Sequence, residues 1–308
     1  MTEVINNVLN EINLFQPESY KNMTIIGFNI PEENPLDLMS LEIGLDLGLV
    51  EITEINEGGD VGQVKVINNA VTPLLLLDGE EIIGSKKNRI VNSTIIIPAK
   101  SEKNIPVSCT EAGRWNYNSN KFHYSNHMAS SRVRRDKLSS VSESLRNSNT
   151  FRSNQMEVWK NIEMIEDDLN LINDTSALHD SYNKKSSDIQ DYKNAFKIHE
   201  KQNGLIVYIN GRLVGFEIIY NSTRYKEYHD KLVESYIIDA LSKENQEYEK
   251  QEFNENTFIN RIKESKCEKF DSVGLGIDYR LENEDLKGSA VIYKDNLINA
   301  SFFTKIES

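Results

Sequence analysis

The chain has 308 residues, 38% of them hydrophobic and 27% charged, so it is long enough to bury one large core or two ordinary ones. The net charge of −13 argues against duplex nucleic acid and anionic membrane surfaces as partners, since both need a clustered basic face. With two cysteines, no signal-like N-terminus and no apolar run of about 18 residues, the sequence predicts a cytoplasmic protein without a membrane span.

Residues 1–115 are predicted to be a strand-rich N-terminal part. A short helix opens the chain, and Ser40 precedes LEIGLDLG, which is typical of a capped helix. Apolar runs separated by turn residues indicate an antiparallel β-sandwich or a barrel-like layer. The expected strands are 24–30, 49–55, 63–67, 74–77, 82–83, 89–97 and 105–109.

Residues 116–155 differ in composition from the rest of the chain. They contain ten Ser and seven Asn, together with seven basic and only two acidic side chains. The stretch is predicted to be a long Ser/Asn-rich basic loop with one helix, in which Leu138, Val141 and Leu145 share a face. A basic island on an acidic protein could attract an anionic ligand, or could simply keep a loop soluble.

Residues 156–308 are predicted to be an α+β C-terminal part, built from helices and a hairpin. Apolar residues recur every three or four positions from Met156 to Ile172, which predicts an amphipathic helix. In GLIVYINGRLVGFEIIY, the pair Asn210-Gly211 separates two apolar runs and predicts a type I′ β-hairpin. The fold class expected is therefore α+β, with the three segments forming one continuous domain.

The stretch LLLLDGEEIIGSKKNRIVNSTIIIP, residues 74–98, places charged residues of both signs between two apolar strands. A hairpin here would bring the carboxylates of Glu80 and Glu81 close to the cationic Lys86 and Arg89. Carboxylates can ligate Mg²⁺ or activate water, and cations can neutralise phosphate oxygens. The alternative is a charged hairpin tip with surface ion pairs, each worth about 0–1 kcal/mol.

A second candidate, SCTEAGRWNY at residues 108–117, follows a strand. Arg114 could bind a phosphate while Trp115 stacks on a base, and Glu111 would add a third carboxylate. Alternatively, Trp115 closes one end of the β-layer and Arg114 pairs with Glu111. Cys109 ends an apolar strand, which favours a buried, unreactive thiol.

The candidate stretches resemble a bacterial domain family named for its association with ADP-ribosylglycohydrolase and rhodanese-phosphatase proteins. The resemblance rests on Gly-Glu-Glu…Gly-x-Lys-x-Asn-Arg and Glu-x-Gly-Arg-Trp. Looser matches lie in QMEVW, TSALHDSY, INGRLVGFE and VGLGIDYRL, so that the resemblance covers roughly residues 20–305. It implies a nucleotide or an ADP-ribose-like ligand. P-loop, Rossmann, α/β-hydrolase and zincin motifs are not found in the sequence.

Two functions follow as hypotheses, and a protein-interaction scaffold that uses the amphipathic helices is a third option. The first is an enzyme, most simply a hydrolase, that processes a phosphate-bearing nucleotide such as ADP-ribose or an NAD-derived metabolite. The carboxylates Glu80, Glu81 and Glu111 would act in catalysis or hold Mg²⁺ or Mn²⁺. The second is a nucleotide sensor or sequestering module of a bacterial stress or phage-defence system. The sequence leaves the oligomeric state open. The candidate ligand-binding residues are Lys86, Asn88, Arg89, Arg114, Trp115, Arg132 and Arg135.

Overall fold

The computed structural model describes residues 2–31, 35–56, 60, 62–113, 121–172, 177–244 and 254–305. Its contacts divide the chain into two compact units. We call Leu36–Ser186 with Ser272–Leu275 the central unit. The terminal unit comprises Met1–Pro35, Ser187–Asp271 and Gly276–Ser308.

Helices and strands alternate irregularly along the described residues. The helices are α1 (Glu3–Asn10), α2 (Leu41–Asp46), α3 (Ser131–Ser148), α4 (Gln155–Asp168), α5 (Leu178–Lys184), α6 (Ser186–Ala195), α7 (Ser222–Ser242) and α8 (Glu255–Glu264). The first nine strands are β1 (Asn13–Leu14), β2 (Glu18–Tyr20), β3 (Met23–Asn29), β4 (Met39–Ser40), β5 (Val50–Thr53), β6 (Gln63–Asn68), β7 (Leu74–Leu76), β8 (Glu80–Gly84) and β9 (Arg89–Val91). The others are β10 (Ile95–Ile97), β11 (Ser101–Cys109), β12 (Phe122–Met128), β13 (Gly204–Ile209), β14 (Arg212–Ile219), β15 (Lys266–Asp271), β16 (Ile277–Glu282), β17 (Leu286–Tyr293) and β18 (Asn296–Thr304).

The terminal unit contains, within the described residues, a nine-stranded antiparallel sheet. Its order is β1-β3-β13-β14-β18-β17-β16-β15, and β2 pairs with β3. Strand β3 is the direct neighbour of β13 in this sheet. Residues before Pro35 therefore group in space with the C-terminal strands. Helices α1 and α8 contribute Leu9 and Phe258 to a core that also holds Phe28, Phe216 and Phe302. None of the helices in the described ranges has the length and apolarity needed to span a bilayer.

The predicted hairpin at residues 209–212 is confirmed. Strands β13 and β14 are paired with Ile209 opposite Arg212, and the two residues between them have positive φ, 53° for Asn210 and 73° for Gly211. Both central positions of a type I′ turn require such φ values, which explains the Asn-Gly pair.

Replacing Gly211 with alanine is expected to lower the free energy of unfolding by about 1–2 kcal/mol, because a Cβ atom is strained at a positive φ. Chemical denaturation measures the change. A matched control is Gly62→Ala, since a Cβ there meets nothing closer than the Asp60 carboxylate at 3.6 Å. Equal losses in the two variants would show that the turn conformation is not the cause.

The central unit holds the predicted strand-rich layer. Among the described residues it comprises a six-stranded sheet, β12-β8-β9-β11-β6-β5, and a three-stranded sheet, β10-β7-β4. Side chains from both sheets, including Val66, Leu76, Val91 and Ile97, bury one apolar core. The α+β class with an N-terminal antiparallel β-layer is thereby confirmed.

Two details of the central unit differ from the sequence prediction. The expected single strand 89–97 is two strands, β9 and β10, which lie in different sheets and are separated by Asn92–Thr94. The expected loop 116–155 contains β12 as well as α3. Helix α3 begins at a side-chain cap, where Ser130 accepts from the Val133 amide, and ends at the left-handed Asn149.

Candidate functional site

The centre of the six-stranded sheet brings the two sequence candidates together. In β8, Glu81 lies opposite Ile90 of β9, and Ile82 lies opposite Arg89. On its other side β9 pairs with β11, where Arg89 lies opposite Cys109. The residues after Gly79 and those after Ser108 are therefore neighbours in space, although they are far apart in the sequence.

Among the predicted carboxylates, Glu81 is buried and bonded to three side chains. Its side chain is 1% exposed, and its Oε2 accepts from the Ser125 hydroxyl at 2.8 Å. Its Oε1 accepts from the Thr110 hydroxyl at 3.2 Å. The Nδ1 atom of His179 lies 3.2 Å from Glu81 Oε2. A buried carboxylate with this set of donors is held in one orientation.

His179 is placed by the end of β11 and the start of α5. The Leu178 amide donates to the Thr110 carbonyl at 3.1 Å, and Glu111 forms an isolated bridge with Ala177. The His179 side chain is 25% exposed, in contrast to its buried partner Glu81. The hydrogen bond to Glu81 raises the pKa of His179 above its ordinary value, and burial opposes that shift.

The imidazole of His179 packs against the ring of His127. The ring of His127 lies edge-on to it, with ring centroids 5.0 Å apart. His127 in turn stacks on Tyr182 at 4.6 Å, and the Tyr182 hydroxyl donates to the Met128 carbonyl at 2.7 Å. These contacts restrict the position of the imidazole that faces Glu81.

The three predicted carboxylates do not all lie on the same face of the sheet. Glu80 and Glu81 are consecutive in a strand, so their side chains leave opposite faces. Glu80 turns back and accepts from the Leu77 amide at 2.6 Å. Glu111, which is 4% exposed, accepts from the Asn88 amide at 3.4 Å and contributes to the raised pKa of His179.

The surroundings of Glu81 bear on the predicted metal site. In the part of the chain that is described, no group of three or more His, Cys, Asp or Glu side chains is placed to hold a metal ion. The oxygens of Glu81 are occupied by protein donors, with which a cation would have to compete. The predicted Mg²⁺ or Mn²⁺ therefore stays a prediction.

The cations of the hairpin are buried in the same region. Lys87 donates to the Ala112 carbonyl at 3.0 Å, and its Nζ lies 5.2 Å from the centre of the Trp159 ring. Lys86 is also buried. Asn88 is half-buried and accepts from the Gly84 amide at 3.2 Å. Burial of the two lysines, with Lys87 over an indole ring, differs from a solvated hairpin tip.

The two predicted ligand-binding arginines of helix α3 are engaged in ion pairs. Both terminal nitrogens of Arg132 lie 3.1 Å from one carboxylate oxygen of Asp168. The Nε atom of Arg135 lies 2.7 Å from a carboxylate oxygen of the adjacent Asp136. Their predicted contact with a ligand would require these pairs to open. The other two predicted ligand-binding residues, Arg114 and Trp115, lie outside the described residues.

Sequence reasoning missed His179, Thr110 and Ser125. The segment TSALHDSY carried a loose family match, and that match was the available indication for His179. Cys109 lies among the charged groups, but burial raises the pKa of its thiol. Its backbone amide and carbonyl are both bonded to the Gln155 side chain.

Comparison with known proteins identifies a family for the chain. A model described as the ARG and Rhodanese-Phosphatase-superfamily-associated Protein domain, ARPP-1, matches residues 11–303. No curated protein and no solved structure matched the chain. The matched range includes every described element of the candidate site. The chain therefore belongs to the ARPP-1 family, as its sequence motifs indicated.

Proposed function

We propose that the protein is a hydrolase acting on a phosphate-bearing nucleotide, with His179 as general acid–base and Glu81 as the group that orients it. The observation that carries this proposal is the hydrogen bond of 3.2 Å between the buried Glu81 carboxylate and the partly exposed imidazole. A fixed carboxylate bonded to a histidine is the arrangement by which many hydrolases activate a nucleophile.

The bond to Glu81 assigns roles to the two ring nitrogens. With its proton on Nδ1, His179 donates to Glu81, and Nε2 is left as the basic atom. A water molecule attacking the substrate would give its proton to Nε2. The resulting imidazolium is stabilised by the Glu81 carboxylate and could then protonate the leaving group.

A nucleotide substrate is supported by the charged residues near this pair. Lys86 and Lys87 are buried in the hairpin and supply positive charge, which suits phosphate oxygens. The family description names an association with ARG and rhodanese-phosphatase proteins, and ARG is the ADP-ribosylglycohydrolase. This association supports ADP-ribose or an NAD-derived metabolite as the substrate.

The test is incubation of the protein with ADP-ribose, NAD or ADP, followed by chromatography of the products. We expect the wild-type protein to convert ADP-ribose, and His179→Gln to abolish the conversion. The exposed His123 on β12 offers a matched control, because His123→Gln should retain activity. Parallel reactions with Mg²⁺, Mn²⁺ or EDTA test the predicted metal.

Thermal shift measured on the same samples separates the enzyme from the alternative. A ligand that binds the folded state raises its apparent stability by mass action. Stabilisation by ADP-ribose without any product would contradict catalysis and support the nucleotide sensor. If none of the three nucleotides yields a product or stabilises the protein, both functions are contradicted.

A further inference from the structure

The central unit contains a buried arginine–glutamate pair whose hydrogen-bonding atoms are not all satisfied. Arg89 at the start of β9 is 0% exposed, and Glu54, just after β5, is 6% exposed. Within the described ranges, three of their atoms have no hydrogen-bond partner: Nε and Nη2 of Arg89, and Oε2 of Glu54. Buried polar side-chain atoms are paired in the large majority of cases, so three such atoms in one pair call for an explanation.

The geometry shows why the two side chains do not satisfy one another. Arg89 Nη2 lies 3.7 Å from Glu54 Oε1, which is an ion-pair distance and too long for a hydrogen bond. Glu54 Oε1 instead accepts from the Ser85 hydroxyl at 3.0 Å. Arg89 uses Nη1 for a contact of 3.4 Å to the Asn88 carbonyl. The Nε–Nη2 edge, one of the guanidinium edges that bind bidentately, is left for another group.

The unpaired atoms define the chemistry of a complementary group. Two donors of Arg89 require an acceptor, and Glu54 Oε2 requires a donor. Hydroxyl groups meet both requirements, because each can accept from the guanidinium and donate to the carboxylate. A phosphate is a poor match, since its negative oxygens would lie beside the carboxylate of Glu54.

We propose that Arg89 and Glu54 bind the hydroxyl groups of a ribose, with the turn Ser85–Asn88 lying over them. The identity of the sugar rests on the proposed function, in which the substrate is a ribonucleotide. This site gives Arg89 a different role from the diphosphate contact that the sequence suggested. Lys86 and Lys87 then remain as the cations for the phosphates.

Isothermal titration with two small probes tests the proposal on the wild-type protein. Ribose 5-phosphate is expected to bind at least about tenfold more tightly than 2-deoxyribose 5-phosphate, because a missing hydroxyl leaves buried polar groups unpaired. Inorganic phosphate alone should bind no better than the deoxy sugar. Equal affinity for the two sugars, or no binding of either, would overturn the proposal and indicate a pair that is bridged by water only.

Conservative variants then connect the hydroxyl preference to the pair. Glu54→Gln and Arg89→Lys should each reduce the preference for ribose 5-phosphate to less than about threefold, while Arg224→Lys, at an arginine paired with Glu227 in helix α7, should leave it at the wild-type value. A preference that survives both substitutions would overturn the assignment to these residues. If either variant fails to fold, the wild-type comparison of the two sugars still decides.

The outcome is separable from that of the hydrolase proposal. Conversion of ADP-ribose without a preference between the two sugars would leave the enzyme standing and remove the ribose site. A clear preference for ribose 5-phosphate without conversion of any nucleotide would support the ribose site and contradict the hydrolase.

Discussion

Replacing Glu81 with glutamine is expected to lower kcat for ADP-ribose by about 10²–10⁴-fold, the range typical of general acid–base catalysis. Glutamine has the same shape and still offers one oxygen to Ser125 or Thr110. It lacks the negative charge that orients His179 and stabilises its protonated form. The loss should therefore appear in kcat with the fold intact, as measured by steady-state kinetics together with circular dichroism.

The pH dependence gives this prediction a second, independent measurement. The hydrogen bond to Glu81 is the largest cause of the raised pKa of His179. In the wild-type protein the imidazole should therefore lose its proton above pH 6.5, the ordinary value for histidine. In Glu81→Gln its pKa should fall, and the acidic limb of the kcat/KM profile, where the neutral base forms, should move to lower pH with it. NMR titration of the histidine resonances follows the same group directly.

Glu80→Gln is the matched control, because it changes the adjacent residue of the same strand. Glu80 leaves the opposite face of β8, and glutamine keeps an oxygen for the Leu77 amide. We expect its turnover to stay within about threefold of wild type, since no proton transfer passes through it. Equal losses in the two variants would contradict the assignment of Glu81 and favour a shared role for both glutamates. Full activity of Glu81→Gln would remove Glu81 from the mechanism.

Sequence patterns predicted those parts of the fold that depend on neighbouring residues. The Asn210-Gly211 turn follows from the φ values that its two positions need, and the central β-layer follows from short apolar runs between turns. Strand β12 was missed because FHYSNHM has no clear alternation. Its contact with β8 is a tertiary effect, since Tyr124 is paired with Ile82 more than 40 positions away.

The candidate site was only partly predictable for the same reason. The charged hairpin and the Glu111 segment were found from composition and turn residues alone. His179 and Glu81 are 98 positions apart, and no local spacing connects them. The sequence also grouped Glu80 with Glu81 by adjacency, whereas strand geometry separates their side chains. Nor could the sequence predict that Arg132 of α3 is neutralised by an ion pair, because its partner Asp168 lies in another helix.

The second large effect is expected on stability, at the ion pair between Lys137 and Asp78. Both side chains are buried, with exposed fractions of 0% and 5%. Lys137 Nζ also donates to the Asn92 carbonyl at 2.9 Å, so the pair ties helix α3 to the residues flanking β9 and to the turn before β8. Because α3 comes from the polar segment 116–155, this pair fixes a helix that its own sequence pattern supports weakly.

Replacing Lys137 with methionine should lower the free energy of unfolding by about 3–5 kcal/mol, because Asp78 is left as a buried charge without its counter-ion. Urea denaturation measures the loss. The control Arg135→Met removes a partly exposed cation whose partner is the adjacent Asp136, and should cost less than about 1 kcal/mol. The double variant Lys137→Met with Asp78→Asn removes both charges and should regain more than about half of the loss. A small effect of Lys137→Met, or no recovery in the double variant, would show that the pair is not what holds α3 against the sheet.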